Sequence, residues 1–126
     1  MRYDTSLPIP TPAVWVVVPC FNEADRLPAA AVEAYLVDHA DIALCLVDDG
    51  SSDGTRAVLQ RIAAAHPGQV TVLLLDDNRG KAEAVRLGVL QGLAHPHVAR
   101  VGYWDADLST PLSELALLIR ALDERS

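Results

Sequence analysis

Ile42 to Thr55 reads IALCLVDDGSSDGT: six apolar residues in succession, then two acids and a run of turn residues. A strand with one wet face alternates apolar and polar residues. An unbroken apolar run closed by turn signals instead suits a strand buried on both faces, as in a parallel sheet. Three further short apolar runs recur, AVWVVVP (13–19), VTVLLL (70–75) and RVGYW (100–104), and most of the four are continuous rather than alternating. Between them lie segments with helical spacing. One carries Val58, Leu59, Ile62 and Ala63, and the next Ala82, Val85, Val89 and Leu93. A last one carries Leu112, Leu115, Ile119 and Leu122, with Thr110 as its N-cap and Pro111 in its first turn. The first helical segment, from about Asp25 to Asp38, is Ala-rich and less cleanly periodic. The order β-α-β-α-β-α-β-α predicts an α/β fold with an open, mostly parallel sheet and right-handed crossovers. Residues 1–12, with prolines at 8, 10 and 12, read as an extended lead-in, and 13–126 as one domain without a linker.

Composition agrees. A chain of 126 residues suits a single domain, and 51% hydrophobic with 21% charged residues is a globular balance. The longest apolar runs, six residues each at Ala13 to Val18 and Ile42 to Val47, fall short of the roughly 18 residues of a membrane span. The opening MRYDTSLPIPTPA lacks the apolar stretch of a signal peptide. The expectation is a cytoplasmic protein without a transmembrane segment, with peripheral contact to a membrane left open. Cys20 and Cys45 lie in apolar runs without C-x-x-C spacing and read as single buried thiols. His39, His66, His95 and His97 fall at helix ends and in loops, where capping is their ordinary role. The net charge of −7 argues against nucleic acid or anionic lipid as an electrostatically held partner. The basic residues are nine arginines and one lysine, Lys81.

Parallel strands bring their carboxyl ends to one edge, where ligands bind in open α/β sheets. The segments at those ends, PCFNEAD (19–25), DDGSSD (48–53), DDNRGK (76–81) and DADLS (105–109), hold nine of the 17 acids. Each has a plain local account. Asn22 or Asp25 would cap one helix and Ser52 or Asp53 the next, and Asp105-x-Asp107 alone is turn punctuation. Together they make an acidic edge that repels phosphate unless a divalent cation intervenes, and hard carboxylate oxygens suit Mg²⁺ or Mn²⁺. Arg79 and Lys81 stand at a helix N-terminus, where cations oppose the dipole, so an anionic ligand would compensate.

In order, VVVPCFNE (16–23), LVDDGSSDGT (46–55), NRGKAEAVRLG (78–88) and DADLSTP (105–111) resemble the family 2 glycosyltransferases with the GT-A fold. The resemblance runs from about Val14 to Pro111. NEADRLP and NRGKAEAVRLG look most like the enzymes that load a hexose onto dolichyl or polyprenyl phosphate. It implies a UDP- or GDP-linked sugar donor, a lipid-phosphate acceptor, and Mg²⁺ or Mn²⁺ as cofactor. Pro19, Phe21 and Glu23 would line the nucleoside pocket, with Phe21 where the family often has Tyr. Asp49 would hydrogen-bond the base, supported by Val47 and Asp48. Lys81, with Arg79, would lie near the donor's phosphates or sugar. Asp105, Ala106 and Asp107 would form the D-x-D: Asp107 contacting the metal, Asp105 near the ribose or sugar, Ser109 a secondary ligand. Family members run on well beyond the D-x-D, so the resemblance implies a donor-binding half. It offers no catalytic base downstream of Asp107. It also implies an uncovered sheet edge and self-association. The main alternative is a non-catalytic nucleotide-binding or regulatory module derived from such an enzyme. A receiver-type signalling domain would carry its acid pair after the first strand and a lysine after the fifth. A nucleotidyltransferase would show a Gly-rich loop after its first strand, and PCFNEAD has no glycine.

Overall fold

The two most uniformly apolar runs form the middle of a four-stranded sheet, because only central strands are covered on both faces. The structure is a computed structural model that describes residues 13–105. The expected last helix, and with it Ala106, Asp107 and Ser109, lies outside the described residues, as does the lead-in. The elements are β1 (Ala13–Cys20), α1 (Ala29–Asp38), β2 (Ile42–Asp49), α2 (Thr55–Ala65), β3 (Val70–Leu75), α3 (Lys81–Leu93) and β4 (Val98–Tyr103). All strand pairs are parallel and the order is β3-β2-β1-β4. Every residue of β2 is buried, as is β1 from Val14 onward, whereas β3 alternates. The α/β class and parallel sheet expected from the four runs are therefore what the chain forms.

The sheet divides the core in two. On one face Val14, Val16, Val18, Leu44 and Leu46 pack with Val32 and Leu36 of α1 and Leu59 and Ile62 of α2. On the other, Trp15, Val17, Cys45, Val47, Leu73 and Leu75 pack with Ala84 of α3. Each fully buried aliphatic side chain contributes about 1.5–3 kcal/mol, so these two layers dominate the stability of the fold.

Three expectations need correction. The first helix begins at Ala29, not Asp25: the N–H groups of Arg26 and Leu27 both donate to the Glu23 carbonyl, making a tight turn before Pro28. Asn22 and Asp25 therefore cap nothing. Asn22 takes a left-handed conformation (φ 52°) and accepts the Ser52 N–H at 2.9 Å. The fourth strand starts at Val98 rather than Arg100.

The third correction is the buried face of α3, expected to be Ala82, Val85, Val89 and Leu93. Of these Val89 does pack, partly buried, against the core, but the buried positions are Ala84, Gly88 and Gly92, while Leu93 is 66% exposed. The reason is distance. Two glycines four residues apart let the helix backbone come down onto β1 so closely that the Trp15 indole N–H donates to the Gly88 carbonyl at 3.0 Å. A Cβ at Gly88 would meet Val17 and Val47, and one at Gly92 would meet the Trp15 ring. Contact went to the face that permits closest approach, not to the most apolar one.

Candidate functional site

β1, β2 and β3 step one way across the sheet, and β4 then returns to the far side of β1. The carboxyl end of β1 is therefore the switch point, the place in such sheets where a crevice opens. β1 pairs with β2 as far as Cys20 with Asp48, but its pairing with β4 stops at Val17 with Tyr103. One more bond, from the Trp104 N–H to the Val17 carbonyl, closes that ladder. Beyond it the β4 side of Pro19 to Phe21 has no strand neighbour among the described residues, and Pro19 has no N–H that would need one.

A cavity of about 200 Å³ occupies this place. Pro19, Cys20, Phe21 and Glu23 line it from the end of β1, and Asp49 from the end of β2. Asn78, Gly80 and Lys81 approach from the start of α3, and Asp105 from the residue pair after β4. The structure thus brings together Pro19, Phe21, Glu23, Asp49, Lys81 and Asp105 from four separate stretches of sequence. Val47 is elsewhere, fully buried against α3. Arg79 contributes its backbone, while its guanidinium pairs with the exposed Asp77 at 3.1 Å.

Asp49 ties the site together. It is 3% exposed. Its Oδ1 accepts the Arg79 N–H at 2.8 Å, and its Oδ2 accepts the Gly80 N–H at 3.1 Å and the Asn78 amide at 3.2 Å. The same Asn78 amide donates to the Asp49 carbonyl. Gly80 precedes α3 with φ 97°, a left-handed conformation that favours glycine. Asp49 therefore holds the turn that leads into α3 and sets where Lys81 emerges. Gly50 allows it: its Cβ would collide with the backbone of Asp77 and Asn78.

Asp48 points the other way. It accepts the Ser51 N–H at 3.2 Å and pairs with Arg56 Nε at 3.3 Å, joining the end of β2 to the first turn of α2. The loop after β1 is held against the same turn: the Glu23 N–H donates to the Thr55 hydroxyl at 2.8 Å, and the Asn22 N–H to the Ser51 hydroxyl at 3.0 Å. Asp53 accepts from both the N–H and the hydroxyl of Thr55, which holds its carboxyl below the usual carboxylate range. Glu23 is 7% exposed; its Oε2 lies 3.2 Å from Arg26 Nε but off the N–H direction, so it is ion-paired without a hydrogen bond. Across the cavity the Lys81 ammonium pairs with Asp105.

Cys20, Asn78 and Gly80 were not singled out from the sequence as site residues. Cys20 reads locally as core. Asn78 and Gly80 lie inside the DDNRGK segment, but only the approach of β2 and β3, with Asp49 beside Leu75, reveals their partner. Both thiols are pushed up in pKa by burial, Cys20 further by Glu23, Asp48 and Asp105 nearby, and Cys45 to about 12.

The donor set suits a hard cation, since the carboxylates of Glu23, Asp49 and Asp105 all line one cavity. Among the described residues no group of three or more His, Cys, Asp or Glu side chains is placed to hold a metal alone. That fits an ion held by one or two carboxylates and completed by ligand phosphates and water, the usual manner of Mg²⁺.

The fold is that of the nucleotide-binding half of a GT-A glycosyltransferase. Residues 15–126 match the model of glycosyl transferase family 2, and the chain belongs to that family. It is 32% identical over 124 residues to the undecaprenyl-phosphate 4-deoxy-4-formamido-L-arabinose transferase of Klebsiella pneumoniae (strain 342), covering 91% of this chain and 35% of that one. It is 34% identical over 116 residues to the polyprenol monophosphomannose synthase of Mycolicibacterium smegmatis, covering 90% and 42%. A solved structure of the mannosyltransferase PcManGT from Pyrobaculum calidifontis, in complex with GDP-Man and Mn²⁺, matches with TM-score 0.59 and 29% identity over 79% of this chain and 30% of that one. The S. aureus TarS structure shares the fold at TM-score 0.63 and 19% identity, over 86% of this chain and 20% of that one. The chain thus spans well under half the length of these relatives. No helix among the described residues is long and apolar enough to cross a membrane.

Proposed function

We propose that the cavity at the end of β1 binds a nucleoside diphosphate sugar with Mg²⁺ or Mn²⁺, as the donor half of a hexosyl transfer to a polyprenyl or dolichyl phosphate. The observation that carries this is the convergence of Glu23, Asp49, Lys81 and Asp105 on one cavity at the switch point. Complete small-molecule pockets run to about 300–1,000 Å³, so the 200 Å³ here would seat one part of the donor, with the rest over the rim. Phe21, 43% exposed on that rim, offers an aromatic face to a base. Pro19, Glu23 and Asp49 would complete the nucleoside side. Lys81 would meet the diphosphate as a point charge. Asp105, with Asp107 and Ser109 beyond it in sequence, would hold the cation.

When bound, the cation neutralises the diphosphate and stabilises charge growing on the nucleoside diphosphate as it leaves. In the transfer an acceptor phosphate oxygen bonds to sugar C1, and the C1–O bond to the donor breaks with its electron pair going to the leaving group. A phosphate acceptor has a second pKa of about 6 and is mostly ionised at neutral pH, so the step needs little help from a base. One relative named for undecaprenyl phosphate, another named as a polyprenol monophosphomannose synthase, and a neighbour holding GDP-Man with Mn²⁺ support the choice of donor, metal and acceptor.

Calorimetric titration with UDP and GDP, each with and without Mn²⁺, tests this on the chain and on Asp107→Ala. Metal-dependent binding of one nucleotide, lost in the variant, is expected. A folded chain that binds neither nucleotide overturns the proposal.

A further inference from the structure

Lys81 is held across the cavity from the carboxylate proposed to help hold the cation. Its backbone position is set by Asp49, through the Arg79 and Gly80 N–H groups just before it. Its side chain leaves the first turn of α3 and pairs with Asp105, and both residues line the cavity. Lys81 and Asp105 side chains are 52% and 19% exposed, so water screens the pair. A pair of that kind is worth about 0.2–1 kcal/mol, a factor of about 1.4 to 5, and is readily exchanged.

We infer that the Lys81–Asp105 ion pair is an exchangeable closure of the donor site. A divalent cation takes Asp105 and releases Lys81; a diphosphate takes Lys81 and releases Asp105. The inference rests on the donor-site proposal above and adds a coupling to it. Either ligand breaks the pair, so the second to arrive no longer bears that cost. Linkage makes the effect reciprocal: the cation tightens the nucleotide by the same factor as the nucleotide tightens the cation. This coupling adds to direct contact between cation and phosphate. It also explains a cation at a helix N-terminus, where the dipole disfavours it: the neighbouring carboxylate holds the charge until an anion replaces it.

The sequence supplies a clean probe, because Lys81 is the chain's one lysine. Selective ¹³C-lysine labelling of the 126-residue chain gives a single ε-methylene NMR signal. Asp105→Asn is expected to shift that signal in the ligand-free chain. Mg²⁺ alone should move the wild-type signal toward the Asp105→Asn position, and GDP or UDP with Mg²⁺ should move it to a third. In parallel titrations, the factor by which Mg²⁺ tightens nucleotide binding should fall by about 1.4- to fivefold in Lys81→Met. A signal unmoved by saturating Mg²⁺, or an undiminished factor in Lys81→Met, overturns the inference. The Mg²⁺ titration of the wild type decides the matter if Asp105→Asn does not fold. Nucleotide binding with no lysine response to Mg²⁺ defeats the coupling and leaves the donor site standing. Failure of both nucleotides to bind defeats the donor site, whatever the lysine signal does.

Discussion

Asp49 shows how one carboxylate can organise a site. Two backbone N–H groups and one side-chain amide converge on it from a loop 29 to 31 residues away in sequence. Asp49→Ala would leave the Arg79 and Gly80 N–H groups without their acceptor. Leaving a buried donor unsatisfied costs about 1–3 kcal/mol. Arg79 is exposed and Gly80 half-buried, so water takes up part of the loss and urea denaturation should show a drop toward the low end of that range. Amide exchange at Arg79 and Gly80 should accelerate more than at Ile62 in the core, and nucleotide binding should weaken with it. Equal protection of those two amides in the variant would show that Asp49 does not hold the loop. The sequence marked Asp49 and Lys81 as site residues by strand-end position and charge. It did not show that they are linked, because the link depends on the lateral register of β2 and β3 rather than on any local pattern. Asp48 and Asp49 look alike in the chain, yet pleating turns one toward Arg56 and the other toward Asn78.

The lesson at the scale of elements is α3. Periodicity located the helix and caught Val89, which packs against the core, but missed the positions of closest contact, because a count of apolar residues ignores how near two backbones can come. Ala84, Gly88 and Gly92 make contact by being small. Alanine in place of helical glycine ordinarily gains about 1 kcal/mol in propensity. At Gly88 and Gly92 the new methyl would strike Val17 and Trp15, and overpacking costs about 1–3 kcal/mol. Both alanine variants should therefore unfold at lower urea than the wild type, against their propensity. Gly92→Ala should also blue- or red-shift Trp15 fluorescence, since the indole is held by its bond to Gly88. Gly102→Ala is the control: among the described residues nothing lies within 4 Å of where its Cβ would be, and the change should be near neutral. Equal stability for Gly88→Ala and Gly102→Ala would show that close approach is not what places α3. Strands were easier to find than this face, because burial on both sides of β1 and β2 leaves an uninterrupted apolar signature that needs no partner to be recognised.

At the scale of the whole molecule, the sheet carries its two thiols on opposite faces and its acids at one end. Burial raises the pKa of Cys45 to about 12 and that of Cys20 in the same direction, whereas an unfolded chain ionises a thiol near about 8.5. The folded form holds these protons more tightly, so the contribution is fully present below the unfolded value and is lost as pH rises toward the folded one. Tm should therefore fall from about pH 9 upward, and Cys45→Ala should flatten that fall. Neither thiol should react with a neutral-pH disulfide reagent until the chain unfolds. A different response is expected at the acidic end. A ligand seated there touches the ends of β1 and β2, the start of α3 and the residues after β4, and so joins segments that otherwise open separately. Nucleotide with Mn²⁺ at a hundred times its Kd should add about 2.7 kcal/mol to global stability. The net charge of −7 opposes a bare diphosphate, so chelating the metal should remove most of the gain, and Asp105→Asn should reduce it. A thermal shift that survives chelation undiminished would mean that the anion is held without the cation, and that Asp105 serves only to receive Lys81.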